Sequence, residues 1–172
     1  MSFLQMQSLA PVAVLVATTV RTAACMTLTV CALLIIPSCA SAPSDVRFAD
    51  VDGHRIAYRV LGAGRPAIVM IAGLGDGMAT FRDVAPEIAA TATVILYDRA
   101  GYGGSGAATG VRDAAAAERE LSALLKQSGV DGPYVLVGHS LGGLYAEYFA
   151  AQHPDQVLGV ILEESRPVDF TR

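Results

Sequence analysis

Apolar and polar positions follow a regular order along the chain from Asp45 onward. Short apolar runs, which are typical of strands inside a sheet, alternate with longer segments whose apolar residues recur at a helical period. The predicted strands are Val46–Val51, Arg55–Leu61, Ala67–Ile71, Thr91–Tyr97, Tyr134–Val137 and Val157–Leu162, the last four being expected to be buried on both faces. The predicted helices are Thr80–Ala90, Arg112–Ser128 and Leu141–His153.

The order of these elements predicts an α/β fold. Strands that alternate with helices form βαβ units, and such units build a mostly parallel sheet with flanking helices. The turn signal Asp52-Gly53 joins the first two strands, so we expect them to pair antiparallel at one edge of the sheet. The final strand is expected to form an exposed, apolar edge, which is an aggregation hazard.

The first 44 residues differ from the rest, because Arg21 is their one charged side chain and they contain all three cysteines of the protein. An apolar run after a positive charge, ending in small residues, is typical of an export signal. The run from Thr22 to Ile36 is short for a membrane-spanning helix, which needs about 20 residues. We therefore assign residues 1–42 to a leader and expect the protein to be exported, either secreted, periplasmic or anchored in the cell envelope.

Several fates of this leader are open. Ala40 and Ala42 form an A-x-A-like cleavage site. The segment Ile36-Pro37-Ser38-Cys39 resembles the lipobox of bacterial lipoproteins, which makes Cys39 the candidate lipid attachment site. An uncleaved leader would attach the protein to the membrane. A wrongly chosen start at Met1 would remove much of the segment.

Composition restricts the function of the remaining chain. It contains no cysteine, which excludes internal disulfides, a thiolate nucleophile and Cys-ligated zinc from that part. The whole protein is 53% hydrophobic and 16% charged, with a formal net charge of -4, which is typical of a globular protein. Because it has no cluster of Lys and Arg, we expect no nucleic-acid partner. No histidine pair has metal-ligand spacing, so we expect no metal and no other cofactor.

The most informative motif lies where a predicted strand meets a predicted helix. Gly138-His139-Ser140-Leu141-Gly142 fits the pattern G-x-S-x-G. In a nucleophile elbow of this kind, the turn holds the serine in a strained backbone conformation with its hydroxyl above the sheet. Gly138 and Gly142 lack a Cβ, so strand and helix could approach closely. The Leu141 N–H, at the start of the helix, would stabilise developing negative charge.

This elbow resembles that of the α/β-hydrolase family, and the resemblance extends from Asp45 to about Pro167. Ile71-Ala72-Gly73-Leu74-Gly75 is similar to the loop that supplies the family's second oxyanion donor, although Ala72 stands where the family commonly has histidine. Tyr97–Ser105 is similar to the family's D-R-x-G-x-G-x-S loop.

The resemblance implies a serine hydrolase, esterase-like, that acts on the ester or amide bond of a small-molecule substrate. It implies Ser140 as the catalytic nucleophile and the N–H groups of Leu74 and Leu141 as the oxyanion hole. A serine nucleophile is unlike the aspartate of haloalkane dehalogenases and epoxide hydrolases. Haloperoxidase-like members also use serine and stay an alternative.

The chain lacks an obvious partner for this serine. The nucleophile needs a base and an orienting acid, and the family supplies them in the order Ser, Asp or Glu, His. His153 comes too early and on the wrong helix, and Glu164 could lie near the site, but the family's acid more often follows the next strand. We therefore expect the acid and the histidine beyond Arg172, so that the chain is the N-terminal portion of the fold and is inactive alone. A fragment, a truncated product and a degenerate member are all consistent with this.

Other interpretations of the same residues are available. Gly101–Gly106 fits G-x-G-x-x-G, but the next strand lacks the terminal acid that a dinucleotide site needs. Ser140 could be an ordinary helix N-cap. His54 is expected to be solvated in its hairpin turn, and Asp98 and Arg99 either order their loop or form a surface pair. The second function class is a non-catalytic, membrane-attached, hydrolase-like binding protein.

Overall fold

The computed structural model describes residues 45–107 and 110–165. Within these residues six strands form one sheet in the order β1-β2-β4-β3-β5-β6. The strands are β1 (Arg47–Val51), β2 (His54–Leu61), β3 (Ala67–Ile71), β4 (Thr93–Tyr97), β5 (Tyr134–His139) and β6 (Val157–Glu163). The helices are α1 (Ala85–Ala89), α2 (Ala114–Ser128) and α3 (Leu141–Gln152), with short 3-10 turns at Met78–Phe81 and Pro154–Gln156. The predicted leader and Cys39 lie outside the described residues and stay a prediction.

The pairing of the strands confirms the predicted α/β fold with a mostly parallel sheet. β3 pairs parallel with β4 and β5, and β5 pairs parallel with β6. β1 and β2 form the predicted antiparallel hairpin, whose turn residues Asp52 and Gly53 have φ values of 46° and 82°. Positive φ at both positions is the conformation that Asp-Gly turns favour. β2 also pairs antiparallel with β4, so the antiparallel part lies at one side of the sheet.

Both faces of the sheet carry a buried core, because side chains alternate along each strand. Val69 and Ile71 of β3 pack into a cluster with Leu124 of α2 and Phe149 of α3. Met70, between them in the sequence, packs into a second cluster on which α1 and the turn Met78–Phe81 lie. The described part of the chain is therefore a sheet between two helical layers, and its parallel strands end beside the candidate site.

The prediction of one helix over Thr80–Ala90 is wrong. The segment forms a 3-10 turn at Met78–Phe81 and then the short helix α1. Pro86 explains the break, because in a continuous helix it would lack the N–H that bonds to the carbonyl of Arg82 and its ring would clash with that carbonyl. Pro86 instead occupies the first turn of α1, where no such N–H is needed.

The prediction that β6 is buried on both faces is also wrong, whereas its expected apolar edge is present. Leu158 and Ile161 are 62% and 55% exposed. Among residues 45–107 and 110–165, β6 pairs with β5 along one edge, and the other edge of β6 is unpaired. A continuous apolar run shows that the strand is apolar, but it does not show which of its faces other elements cover.

α2 is the longest helix of the described residues, at 15 residues. It begins after Asp113, whose side chain accepts a 2.8 Å hydrogen bond from the Ala116 N–H, and it ends at Gly129 with φ of 71°. Within the described ranges, no helix combines the length and the hydropathy that crossing a bilayer requires.

Candidate active site

Ser140 occupies the turn between β5 and α3 in a conformation that non-glycine residues rarely adopt. Its φ is 50° and its ψ is -119°, and its side chain is exposed. The Ser140 N–H donates a 2.9 Å hydrogen bond to the Glu163 carbonyl of β6, and the Ser140 carbonyl accepts a 3.0 Å bond from the Gly143 N–H. These bonds hold the strained turn in place. Strain of this kind is found mostly at functional positions.

The alternative interpretation of Ser140 as an N-cap is wrong. Its side chain makes no capping hydrogen bond to α3. An N-cap residue has an extended backbone and bonds through its side-chain oxygen to the second or third helical N–H. Ser140 meets neither condition, so its hydroxyl is available for other chemistry.

The glycines of the elbow allow backbone to pack against backbone. A Cβ on Gly138 would lie 2.5 Å from the Cα of Gly143, in the first turn of α3. A Cβ on Gly142 would overlap the Ile71 carbonyl oxygen and would lie 2.7 Å from that of Ala72. Any side chain at either position would therefore move α3 away from the ends of β3 and β5.

The loop after β3 lies directly beside the elbow. A Cβ on Gly73 would be 3.3 Å from the Ser140 Cβ and 3.0 Å from Nδ1 of His139. Within the described residues, no backbone or side-chain group accepts a hydrogen bond from the N–H of Leu74 or of Leu141. Both N–H groups are thus without an acceptor among the described residues.

A cavity of about 530 Å³ is lined in part by Leu74 and Leu141. Its walls are mostly apolar, and two arginines contribute to them. The lining residues include Leu74, Leu141, Leu144, Tyr102, Tyr145, Arg99 and Arg112. Its volume lies within the range of small-molecule sites, about 300–1,000 Å³.

Asp98 and Arg99 follow β4 and are almost fully buried, at 3% and 4% exposure. The interpretation of them as a surface pair is wrong, and each bonds to the backbone of a neighbouring loop. The Asp98 carboxylate accepts hydrogen bonds from the Met78 N–H at 2.7 Å and the Gly104 N–H at 2.8 Å. The Arg99 guanidinium donates to the carbonyls of the loop after β3. The two residues therefore fix the loops around Ser140.

Two titratable groups near this region, Tyr97 and Arg112, have raised pKa values. Burial raises the pKa of Tyr97, at the end of β4, so its phenol stays neutral and is no candidate base. Glu120 of α2 is 3% exposed and holds Arg112 through two hydrogen bonds, which raise the pKa of Arg112. Glu120 was not identified from the sequence. The available signal is its spacing of four residues from Leu124, which places it on the buried face of α2.

The described histidines do not serve Ser140 as a base. His54 is not solvated as predicted, because its Nε2 lies 3.4 Å from Oε1 of Glu120 and its side chain is 12% exposed. Nδ1 of His139 is buried without a hydrogen-bond partner. Within the described residues, no histidine is hydrogen-bonded to the Ser140 hydroxyl.

A second serine, Ser122 on α2, also lies beside a histidine and an acid. Its hydroxyl is 3.4 Å from Nε2 of His153 and donates a 2.9 Å hydrogen bond to Oε1 of Glu118. The same His153 Nε2 lies 2.6 Å from that carboxylate oxygen. A catalytic triad uses the two ring nitrogens for different partners. Ser122 therefore belongs to a structural cluster, and it provides a control for Ser140.

Comparison with known proteins decides the family. A sequence model of the alpha/beta hydrolase fold matches residues 66–172. The chain belongs to the α/β-hydrolase family. In this chain, Ser140 stands at the position where the family's motif places its nucleophile. Within the described residues, no group of three or more His, Cys, Asp or Glu side chains could hold a metal ion.

Relatives of this α/β-hydrolase family member include proteins with different activities. The esterase RhEst1 from Rhodococcus sp. ECU1013 is 31% identical, with a TM-score of 0.64 over 70% of this chain and 46% of the esterase. The epoxide hydrolase CorEH is 26% identical, with a TM-score of 0.66 over 74% and 45% of the two chains. An uncharacterized protein of Mycobacterium tuberculosis (strain ATCC 25618 / H37Rv) is 38% identical over 121 residues, 70% of this chain and 35% of that protein. The chain spans less than half the length of each.

Replacing Asp98 with asparagine is expected to destabilise the protein. The asparagine side chain has one acceptor oxygen, so it cannot accept both the Met78 and the Gly104 N–H bonds, and one buried N–H loses its partner. The expected decrease in the free energy of unfolding is about 1–3 kcal/mol, measured by denaturant titration. The matched control is Asp83→Asn, because the Asp83 side chain is 88% exposed. Equal midpoints for the two variants would contradict this assignment of Asp98.

Proposed function

We propose that this protein is a serine hydrolase that cleaves ester or amide bonds of small molecules, with Ser140 as the nucleophile. The observation that carries the proposal is the conformation of Ser140 at a strand–helix turn. Its backbone is strained, its N–H and its carbonyl both form hydrogen bonds, and its side chain is exposed. A family of hydrolases uses this turn to present a nucleophile. The relative RhEst1 is an esterase, which agrees with an acyl substrate.

In the proposed reaction, the Ser140 hydroxyl attacks the carbonyl carbon of the substrate while a base takes its proton. The carbonyl oxygen becomes negative and accepts hydrogen bonds from the Leu74 and Leu141 N–H groups. Collapse of this intermediate breaks the bond to the alcohol or amine, which leaves with a proton from the protonated base. Water, giving a proton to the base, then attacks the acyl-serine; the bond to Ser140 breaks, the carboxylic acid leaves, and the base returns the proton to the serine oxygen. We propose that the base is a histidine outside this 172-residue chain, oriented by an acid that also lies there.

The test is hydrolysis of p-nitrophenyl butyrate by the protein at the length that its own cells make. Ser140→Ala is expected to lower kcat by about 10⁴-fold or more, because loss of a nucleophilic serine removes the covalent route. The control Ser122→Ala removes a serine of the structural cluster on α2 and is expected to retain the activity. If Ser140→Ala retains more than a tenth of the rate, the proposal is wrong.

One observation favours a second candidate, a non-catalytic hydrolase-like binding protein. The Ser140 hydroxyl has no histidine partner among the described residues, and serine without a base is a weak nucleophile. This candidate predicts that the protein from its own cells binds small esters in the cavity beside Leu74 but does not turn them over. A Ser140-dependent rate in the assay above excludes it.

We further propose, from the leader sequence alone, that the protein acts outside the cytoplasm. The measurement is fractionation of the source cells followed by determination of the intact mass. A protein found only in the cytoplasm with residues 1–42 still attached would contradict export. A mass increment on Cys39 would identify a lipoprotein.

A further inference from the structure

Arg99 binds the loop beside Ser140 in a way that the proposed reaction could use. Its guanidinium is almost fully buried and donates one hydrogen bond to the Ala72 carbonyl and a second, of 2.6 Å, to the Gly73 carbonyl. The aromatic rings of Tyr102 and Tyr145 lie 4.9 Å and 5.4 Å from the guanidinium carbon. A planar cation between two rings and two carbonyls has little freedom to move.

The Gly73 carbonyl and the Leu74 N–H belong to the same peptide group. Because a peptide group is planar and trans, its C=O and N–H point in opposite directions. A hydrogen bond that fixes the Gly73 oxygen therefore also fixes the direction of the Leu74 N–H. The Asp76 N–H donates a weaker bond of 3.4 Å to the same oxygen, so Arg99 provides the shorter of its two described contacts.

The charge of Arg99 also acts on the strength of the Leu74 N–H as a donor. A hydrogen bond from an ionised donor is shorter and stronger than a neutral one. Hydrogen bonds in a chain polarise one another, so drawing electron density toward the Gly73 oxygen makes the N–H of that peptide a better donor. Both effects favour a negative charge next to Ser140 and neither requires Arg99 to touch the substrate.

We propose that Arg99 is a positioning residue of the oxyanion hole, which holds and polarises the Gly73–Leu74 peptide so that its N–H binds the oxyanion. This inference rests on the proposed function, because it needs acyl transfer at Ser140. It adds a residue distant in sequence, since Arg99 is 26 positions from Gly73. The side chain of Ala72 cannot form a hydrogen bond, so the hydrogen bonds of Arg99 to the loop after β3 come from outside that loop.

The experiment compares Arg99→Met, Arg99→Lys and Arg82→Met in the protein at the length that its own cells make. Methionine retains much of the arginine volume without the donors or the charge, and lysine retains the charge but not the two-pronged geometry. Arg82→Met is the matched control, because the Arg82 side chain is 75% exposed. The measurements are kcat and KM for p-nitrophenyl butyrate and the inhibition constant of a boronic acid, which forms a tetrahedral adduct with an active serine.

Arg99→Met is expected to lower kcat by about 10- to 100-fold with KM changed less than threefold, because full loss of one oxyanion donor costs about 10²–10³ in kcat. Boronic acid binding should weaken by a similar factor, since its adduct resembles the transition state. Arg99→Lys should recover part of both losses, and Arg82→Met should change neither. A merely structural role would lower the unfolding midpoint and the fraction of active enzyme, without weakening inhibition of the enzyme that remains active.

Two results would overturn the proposal, and they are distinguishable. If the wild-type enzyme has Ser140-dependent activity and Arg99→Met retains its kcat and its boronic acid affinity, Arg99 does not position the oxyanion hole. If the wild-type protein shows no Ser140-dependent hydrolysis, the proposed function fails and the role of Arg99 in it fails as well.

Discussion

Replacing Ser140 with glycine is expected to abolish hydrolysis and, at the same time, to stabilise the protein. The wild-type serine has φ of 50° and ψ of -119°, a conformation that is strained for any residue with a Cβ and accessible to glycine. Such strain costs about 1–3 kcal/mol, and the extra freedom of glycine in the unfolded chain offsets about 0.4–1 kcal/mol of the gain. We expect a net increase of about 1 kcal/mol in the free energy of unfolding.

The comparison with Ser140→Ala separates strain from chemistry. Alanine also removes the hydroxyl but retains the Cβ, so it should lose the same activity without the gain in stability. The measurement is denaturant unfolding of wild type, Ser140→Gly and Ser140→Ala under identical conditions. A glycine variant that unfolds at lower denaturant than the alanine variant would show that the turn is not strained as described.

Gly142→Ala is expected to have the largest effect on stability of the substitutions considered. The new Cβ would overlap the Ile71 carbonyl oxygen and crowd that of Ala72, and both are backbone atoms that cannot rotate away. The helix α3 must then move away from β3. Overpacking of a core costs about 1–3 kcal/mol, and we expect about 3 kcal/mol or more here because backbone must shift. The displaced Leu141 N–H should also lower any Ser140-dependent rate.

The control for this substitution is Gly159→Ala in β6. A Cβ on Gly159 would meet no atom within 4 Å, and its backbone does not require glycine. Alanine in a strand is about 0.5–1 kcal/mol better than glycine, so this variant should be unchanged or slightly more stable. Thermal unfolding of the two variants is the measurement. Similar melting temperatures would contradict the close packing of α3 on β3.

Much of the fold could be predicted from the sequence because its signals are local. The buried runs of β3 and β4 and the amphipathic pattern of α2 are each complete within a few residues. The Asp52-Gly53 hairpin needs only its own turn chemistry. The prediction for Thr80–Ala90 is wrong because the helical period of its apolar residues continues across Pro86, whose missing N–H divides the segment.

The candidate site also has features that the sequence predicts and features that it does not. Ser140 could be located from five consecutive residues between a strand and a helix. The contacts of Arg99 could not be predicted, because they join residues 26 and 27 positions apart through the packing of two loops. The contact of His54 with Glu120 is likewise a tertiary contact, made by elements that are far apart in the chain.

The central claim is that Ser140 is an activated nucleophile. The most direct measurement is mass-spectrometric mapping of a fluorophosphonate adduct on the native protein from its own cells. Trypsin cleaves after Lys126, which separates Ser122 from Ser140, and fragmentation then assigns the modified serine. We predict rapid, stoichiometric modification of Ser140 and none of Ser122. An unmodified Ser140 under conditions that label an active serine esterase would contradict the claim and would favour the non-catalytic binding protein.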